Sequence, residues 1–172
     1  MDANELRALQ APLKKQYREQ PETARIPAHA EAVLNLEQVA CRVRSWGGET
    51  NAGLHPATGG DGSFACSADM LLEALVACAG VTMSAVASAI GVKLRGGRVI
   101  AEGCWDARGT LGVDREAPVG LTDIVLKFEL DTDADAATVQ RLVEMSERFC
   151  VIYQTLCTPP RISVTHRIMP GD

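Results

Sequence analysis

The residues of this sequence that could do chemistry are its six cysteines, Cys41, Cys66, Cys78, Cys104, Cys150 and Cys157. A thiolate can be a nucleophile, a metal ligand or a reductant of peroxides, so the fold decides which thiol becomes reactive. No two of them form a C-x-x-C pair, and the three histidines lie far apart, so the sequence has no zinc or thioredoxin motif. Spacing alone leaves open a metal site whose ligands converge only in the folded chain.

Most free cysteines in proteins are inert, because a buried thiol packs like a small hydrophobic side chain. Two cysteines here stand out by context. Cys78 lies in the middle of the most apolar stretch of the chain, and Cys150 lies at the end of an amphipathic segment. Composition and spacing alone do not distinguish either of them from a packing residue.

The apolar stretch runs from Met70 to Ile90 and is long enough to cross a membrane. It contains Glu73, and the charges that flank it, Asp69 and Lys93, form no positive-inside pattern. A helix that is apolar on all sides in a water-soluble protein is buried at the centre of the fold. We therefore expect a central core helix with Ser67 as its N-cap, ending at Gly91.

Other elements follow from periodicity and turn residues, and together they predict an α+β fold with an antiparallel sheet. An amphipathic helix over 3–19, divided by Pro12, forms an N-terminal extension (1–22) to a main domain (23–172). A capping box over 132–135 starts a second helix that carries Cys150. The expected strands are 24–33 and 36–46, joined in a hairpin at Asn35, then 98–108, 121–131 and 161–169, with a loop over 47–66.

Composition narrows the class of function. The chain has 172 residues, 47% of them hydrophobic, which fits one globular domain. Its net charge of −5 and the absence of a basic cluster argue against nucleic acid or an anionic membrane as partner. The N-terminus lacks the features of a secretory signal, so we expect a cytoplasmic protein whose cysteines are reduced.

Two segments resemble the OsmC/Ohr family. Residues 67–78, SADMLLEALVAC, resemble the helix that carries the family's first cysteine, and residues 149–156, FCVIYQTL, resemble the region of its second. The order of elements between them also fits, and the similarity extends over about residues 24–169. The resemblance implies an OsmC-like fold with a buried central helix, a second cysteine-bearing helix and an intertwined homodimer.

It also implies a thiol-dependent peroxidase that reduces organic hydroperoxides in oxidative stress defence. By position, Cys78 would be the peroxidatic cysteine and Cys150 the resolving one. The first becomes a sulfenic acid, which condenses with the second to a disulfide, so the two helices must pack together. An external dithiol would then reduce the disulfide, and no metal, flavin or heme takes part.

Active members of the family pair the first cysteine with an arginine and a glutamate. The resemblance offers Asp69 or Glu73 for the acid, and the N-terminal strands offer Arg42 or Arg44 for the cation. Glu73 could equally be a buried structural acid, and arginines in a strand usually face solvent. Burial in apolar surroundings raises a thiol pKa, so Cys78 is expected to need a nearby cation to be reactive.

Two alternatives stay open. A catalytically silent relative would bind a small apolar or thiol-reactive ligand at the dimer interface. The sequence Val151–Tyr153 favours this alternative, because the family often has proline and serine after its second cysteine. A hydrolase or transferase with Cys78 as nucleophile would form an acyl intermediate and would not need Cys150. The presence of both cysteines at the family positions favours the peroxidase.

Overall fold

The computed structural model, which describes residues 2–168, contains a three-stranded sheet, a two-stranded sheet and one long helix. The helices are α1 (Ala3–Glu19), α2 (Ser67–Ile90), α3 (Ala107–Thr110), α4 (Ala136–Phe149) and α5 (Val151–Cys157). The strands are β1 (Glu31–Asn35), β2 (Ala40–Ser45), β3 (Gly48–Ala52), β4 (Leu94–Cys104) and β5 (Thr122–Thr132). This mixture of helices and antiparallel sheet confirms the predicted fold class.

The first sheet has the order β1-β2-β3 and is antiparallel throughout. The predicted hairpin is confirmed, although its first strand begins at Glu31 and residues 25–30 form no element. The prediction of a continuous loop over 47–66 is wrong, because Gly48–Ala52 pairs with β2. Its sequence, GETNA, is mostly exposed and lacks apolar alternation, so backbone pairing rather than a buried face defines this strand.

The second sheet is the antiparallel pair β4 and β5, each of 11 residues. Burial alternates along all of β5, as its sequence predicts. On the exposed face, cross-strand ion pairs join Arg98 to Glu129 and Lys127 to Glu102. The apolar side chains on the opposite face, including Phe128 and Leu130, pack against the core cluster on α2 and α4.

Helix α2 packs against β4, α4, α5 and α1. It ends at Gly91, which has a φ of 74°, as predicted, but Cys66 rather than Ser67 is the N-cap residue. Burial of the helix on all sides is not seen within one chain: Leu75 is 1% exposed, whereas Val81 is 73% exposed. By length and composition alone, α2 could span a membrane, and it is the one such helix over residues 2–168.

Helix α1 is continuous through Pro12, so the prediction that this proline divides it is wrong. Proline removes one backbone hydrogen bond, yet the rest of the helix is stabilised at its start by a capping box between Asp2 and Glu5. The helix contacts α2, but none of its residues is buried. It is therefore a peripheral element of the described fold.

The second predicted helix is really two helices. Asp135 is the N-cap of α4 and accepts a hydrogen bond from the Thr138 amide at 2.7 Å, so the predicted capping box that starts at Thr132 is wrong. Helix α4 ends at Phe149, and α5 begins at Val151. Cys150 is the single non-helical residue between them, with φ −76° and ψ 111°.

The predicted strand over 161–169 does not form in the single chain. Residues 161–168 have no regular structure and are exposed, and Met169 lies outside the described residues. The alternating apolar side chains in this segment are each more than 85% exposed: Ile162, Val164 and Ile168. A strand needs a neighbouring strand for its hydrogen bonds, and the described chain offers this segment none.

Candidate functional site

Cys78 and Cys150 meet where α2 packs against the junction of α4 and α5. Cys78 is half-buried on α2, and Cys150 at the junction is 1% exposed. Each side chain is among the groups that shift the pKa of the other, and both are free thiols rather than a disulfide. The structure thus brings together the two cysteines that the resemblance pairs.

Hydrogen bonds make Cys78 the more acidic thiol of the two. Burial raises the pKa of Cys78, yet the net pKa lies below the ordinary value of a cysteine. Polar groups near the sulfur oppose the effect of burial on the pKa. In decreasing order of influence, these donors are the Ile152 amide, the Cys150 thiol, the Val151 amide and the Thr82 hydroxyl.

Cys150 shifts in the opposite direction. Burial raises its pKa, and the neighbouring negative charge on Cys78 raises it further, while the Tyr153 amide acts in the lowering direction. That amide donates to the Cys150 sulfur at 3.4 Å, so the cysteine side chain is also the N-cap of α5. Cys78 is therefore the thiol of the pair that ionises more readily.

The predicted supporting residues lie elsewhere. Asp69 and Glu73 are both exposed on α2, so Glu73 is not a buried structural acid. Arg44 forms ion pairs with Glu49 at 2.9 Å and Glu31 at 3.6 Å on the hairpin sheet. Arg42 is also exposed on this sheet. None of these four residues is among the groups that act on the Cys78 pKa.

That Cys78 needs a nearby cation to react stays a prediction; among the described residues, the groups that lower its pKa are neutral donors. Sequence reasoning missed these donors. The i,i+4 spacing of Cys78 and Thr82 in a helix could have indicated the hydroxyl, since such residues are neighbours on the helix surface. The amides of Val151 and Ile152 could not be inferred, because the break between α4 and α5 was not predicted.

An open cleft of about 480 Å³ adjoins the thiol pair on the side of Cys150. Its lining is mainly apolar or neutral and includes Phe149, Val151 and Pro160. One cation, Arg148, lines it and lies 5.6 Å from the centre of the Phe149 ring. The cleft could admit a small organic molecule to the neighbourhood of the pair.

A family comparison agrees with this geometry. The sequence model described as OsmC-like protein matches residues 60–165, which include both cysteines and all the donors to Cys78. The chain belongs to the OsmC-like protein family. The predicted resemblance is thereby confirmed. No curated protein matches the chain.

Solved structures of OsmC-like proteins share the fold at low sequence identity. The OsmC-like protein of Mycoplasma pneumoniae has a TM-score of 0.65 at 19% identity, covering 78% of this chain and 89% of that one. The organic hydroperoxide resistance protein OsmC of Legionella pneumophila has a TM-score of 0.62 at 16% identity, covering 77% of this chain and 90% of that one. The organic hydroperoxide resistance protein OhrB of Bacillus subtilis has a TM-score of 0.52 at 16% identity, covering 78% of this chain and 93% of that one.

Among residues 2–168, no three or more His, Cys, Asp or Glu side chains cluster so as to hold a metal ion. Of the four remaining cysteines, Cys41 and Cys66 are half-buried, and Cys104 and Cys157 are exposed.

The division into a 1–22 extension and a 23–172 domain stays a prediction.

Proposed function

We propose that this OsmC-like protein is a thiol-dependent peroxidase that reduces organic hydroperoxides, with Cys78 as the peroxidatic and Cys150 as the resolving cysteine. The observation that carries the proposal is the pair itself: two free thiols that act on each other's pKa, with the two pKa values shifted in opposite directions. The names of the Legionella and Bacillus proteins, which share the fold, agree with this chemistry.

The first step uses Cys78 as a nucleophile. Its thiolate sulfur attacks the terminal oxygen of the hydroperoxide, an S–O bond forms, and the O–O bond breaks. The alkoxide leaving group takes a proton from solvent and departs as an alcohol, and Cys78 becomes a sulfenic acid. The lowered pKa of Cys78 favours this step, because the thiolate and not the thiol is the nucleophile.

The second step uses Cys150. Its sulfur attacks the sulfenic sulfur of Cys78, an S–S bond forms, and hydroxide leaves and takes up the thiol proton as water. The packing of α2 against α4 and α5, and the effect of each thiol on the pKa of the other, support this step. An external dithiol then restores both thiols by exchange and is itself oxidised to a disulfide.

A homodimer is part of the same proposal. The single chain exposes 13246 Å² of surface, whereas a folded monomer of 18.3 kDa exposes about 8,100 Å². Apolar residues contribute to this excess on α2 (Val81), in the first hairpin (Leu36) and in the C-terminal segment (Ile162). Sedimentation should therefore give twice the mass of the chain, and a monomer at micromolar concentration would contradict this part of the proposal.

The test of the peroxidase compares Cys150→Ser with Cys104→Ser, which removes an exposed thiol on β4. With one equivalent of an organic hydroperoxide, mass spectrometry should find a Cys78–Cys150 disulfide in the unmodified protein, reversible by a dithiol. Cys150→Ser should reduce about one equivalent of peroxide and then stall, while Cys104→Ser should cycle normally.

Slow oxidation spread over all six cysteines would refute the peroxidase and favour the silent, ligand-binding alternative. An acyl adduct on Cys78 after incubation with an activated ester, formed equally well in Cys150→Ser, would favour the hydrolase or transferase instead. Continued multiple turnover by Cys150→Ser would remove the resolving role of that residue. We also propose a cytoplasmic location, where dithiol reductants keep the pair reduced.

A further inference from the structure

The open cleft beside the thiol pair is lined by side chains of α4 and α5 and by Pro160 of the C-terminal segment. Its volume of about 480 Å³ falls in the range typical of pockets that hold small organic molecules. Phe149 and Val151, which flank Cys150 in the sequence, are 55% and 69% exposed and form apolar walls of the cleft. These walls suit a ligand with a short hydrocarbon body.

Two polar side chains of the cleft are engaged by the protein itself. The Gln154 side-chain amide donates to the Glu147 carbonyl oxygen at 2.9 Å, which ties α5 to the last turn of α4. The Thr155 hydroxyl donates to the Val151 carbonyl oxygen at 2.8 Å. Because these donors serve the backbone, recognition of a polar group on a ligand falls to the other side chains of the lining.

Arg148 is the one charged residue of the cleft among residues 2–168. Its guanidinium carbon lies 5.6 Å from the centre of the Phe149 ring, a cation–π contact that favours this position of the side chain. Arg44 and Arg95 pair with carboxylates, whereas Arg148 forms no ion pair within the described residues. Its N–H groups therefore stay available for a carboxylate, which a guanidinium can bind through two parallel hydrogen bonds.

We propose that Arg148 is a specificity-determining residue: it binds a carboxylate on the small organic molecule that enters the cleft, while the apolar walls hold the carbon chain of that molecule. The identity of the molecule rests on the function proposed above. The proposed cycle brings a hydroperoxide and a dithiol to the thiol pair, and either of them can carry a carboxylate.

A purely structural role for Arg148 makes different predictions. A cation in the last turn of a helix interacts favourably with the partial negative charge at that end, and this needs no ligand. Carboxylate binding instead depends on the charge of the ligand. It also depends on salt, because ions screen the attraction between exposed charges. The experiment uses both differences.

The probes are hexanoate and hexanamide, which have the same carbon chain and differ in charge. Their binding to the reduced protein is followed by NMR from the backbone amides of α5. Hexanoate should bind the unmodified protein more tightly than hexanamide, and added salt should weaken the binding of hexanoate but not that of hexanamide. Arg148→Gln should bind hexanoate about tenfold more weakly and hexanamide equally well.

The matched control is Arg141→Gln, which removes an exposed arginine two turns earlier on α4 and outside the lining of the cleft. It should bind both probes as the unmodified protein does. Equal affinity of the unmodified protein for the two probes, or an affinity for hexanoate that Arg148→Gln leaves unchanged, would overturn the proposal. So would the same loss in Arg141→Gln, because the net charge of the protein would then explain the effect.

Turnover distinguishes the two sources of the carboxylate. The KM of Arg148→Gln is compared with that of the unmodified protein for a hydroperoxide that carries a carboxylate and for its methyl ester, and likewise for a dithiol and its ester. A rise confined to the acid form of the hydroperoxide assigns the carboxylate to the substrate. A rise confined to the acid form of the dithiol assigns it to the reductant, and an unchanged KM for both acids would overturn the specificity role.

Binding of hexanoate is independent of the peroxidase, because hexanoate neither oxidises nor reduces a thiol. If hexanoate binds through Arg148 while the unmodified protein fails to reduce hydroperoxides, the proposed function fails and the carboxylate site stands. If hydroperoxides are reduced while Arg148→Gln behaves as the unmodified protein does with every probe, the proposed function stands and this inference fails.

Discussion

Replacing Leu142 by alanine should destabilise the fold more than any comparable change on its surface. Leu142 is fully buried, and it forms the core cluster with Met83, Val86 and Ala87 of α2. The substitution deletes three carbon atoms, which costs about 2.4 kcal/mol at about 0.8 kcal/mol for each buried methylene. A residual cavity adds to this, so the free energy of unfolding should fall by about 2–5 kcal/mol.

The assay is urea unfolding followed by circular dichroism, at one fixed protein concentration because an oligomer is stabilised by mass action. The matched control is Leu9→Ala, since Leu9 is also helical but 59% exposed on α1. It should change the free energy of unfolding by no more than about 0.5 kcal/mol. A Leu142→Ala loss below about 1 kcal/mol, or one equal to the control, would refute the assignment of the core to the α2–α4 contact.

The same variant reports on the thiol pair. Leu142 lies two turns before Cys150 on α4, and its carbonyl oxygen accepts the hydrogen bond from Ser146, which is 1% exposed. A cavity there loosens the segment that covers Cys150. The alkylation of Cys150 should therefore become faster in Leu142→Ala than in the unmodified protein, and an unchanged rate would mean that the α4–α5 junction is held independently of this core.

Two further predictions concern the sheet and the thiols. Gly97→Ala should destabilise the β4–β5 pair by about 1–3 kcal/mol, because a Cβ at Gly97 would lie 2.6 Å from the Glu129 carbonyl oxygen. Gly96→Ala, whose Cβ would meet nothing within 4 Å, is its control, and equal thermal unfolding temperatures for the two variants would contradict the register. The pH midpoint of alkylation should lie below that of free cysteine for Cys78 and above it for Cys150, as the directions of their pKa shifts require. The reverse order of midpoints in site-resolved alkylation would exchange the proposed roles.

Much of this fold could be predicted from local patterns. The alternation in β5 and the apolar run of α2 gave both elements to within a few residues. The terminating Gly91 was predictable because a left-handed C-cap favours glycine. Features without a hydrophobic pattern were missed: β3 is polar and is held by pairing to β2, which depends on its partner rather than on its own sequence.

The site was predictable in part. The two cysteines could be chosen by resemblance, because their flanking segments carry it, whereas the donors to Cys78 depend on tertiary packing. The predicted helix through Cys150 had a continuous apolar face, and nothing in Phe149–Ile152 marks the break, since none of these residues is glycine or proline. The strand predicted near Ile162 follows from alternation alone, which indicates one covered face without saying which chain covers it.

The position of Cys150 as the single residue between two helices has a mechanical consequence. A helix of seven residues such as α5 is marginal by itself, so its orientation is set by what it packs against and by the torsion angles at this one residue. Forming or breaking a bond at the Cys150 sulfur acts on that joint directly, without stretching either helix. The angle between α4 and α5 would then differ between the reduced and the oxidised pair. The rate of amide hydrogen exchange along α5 would report that difference.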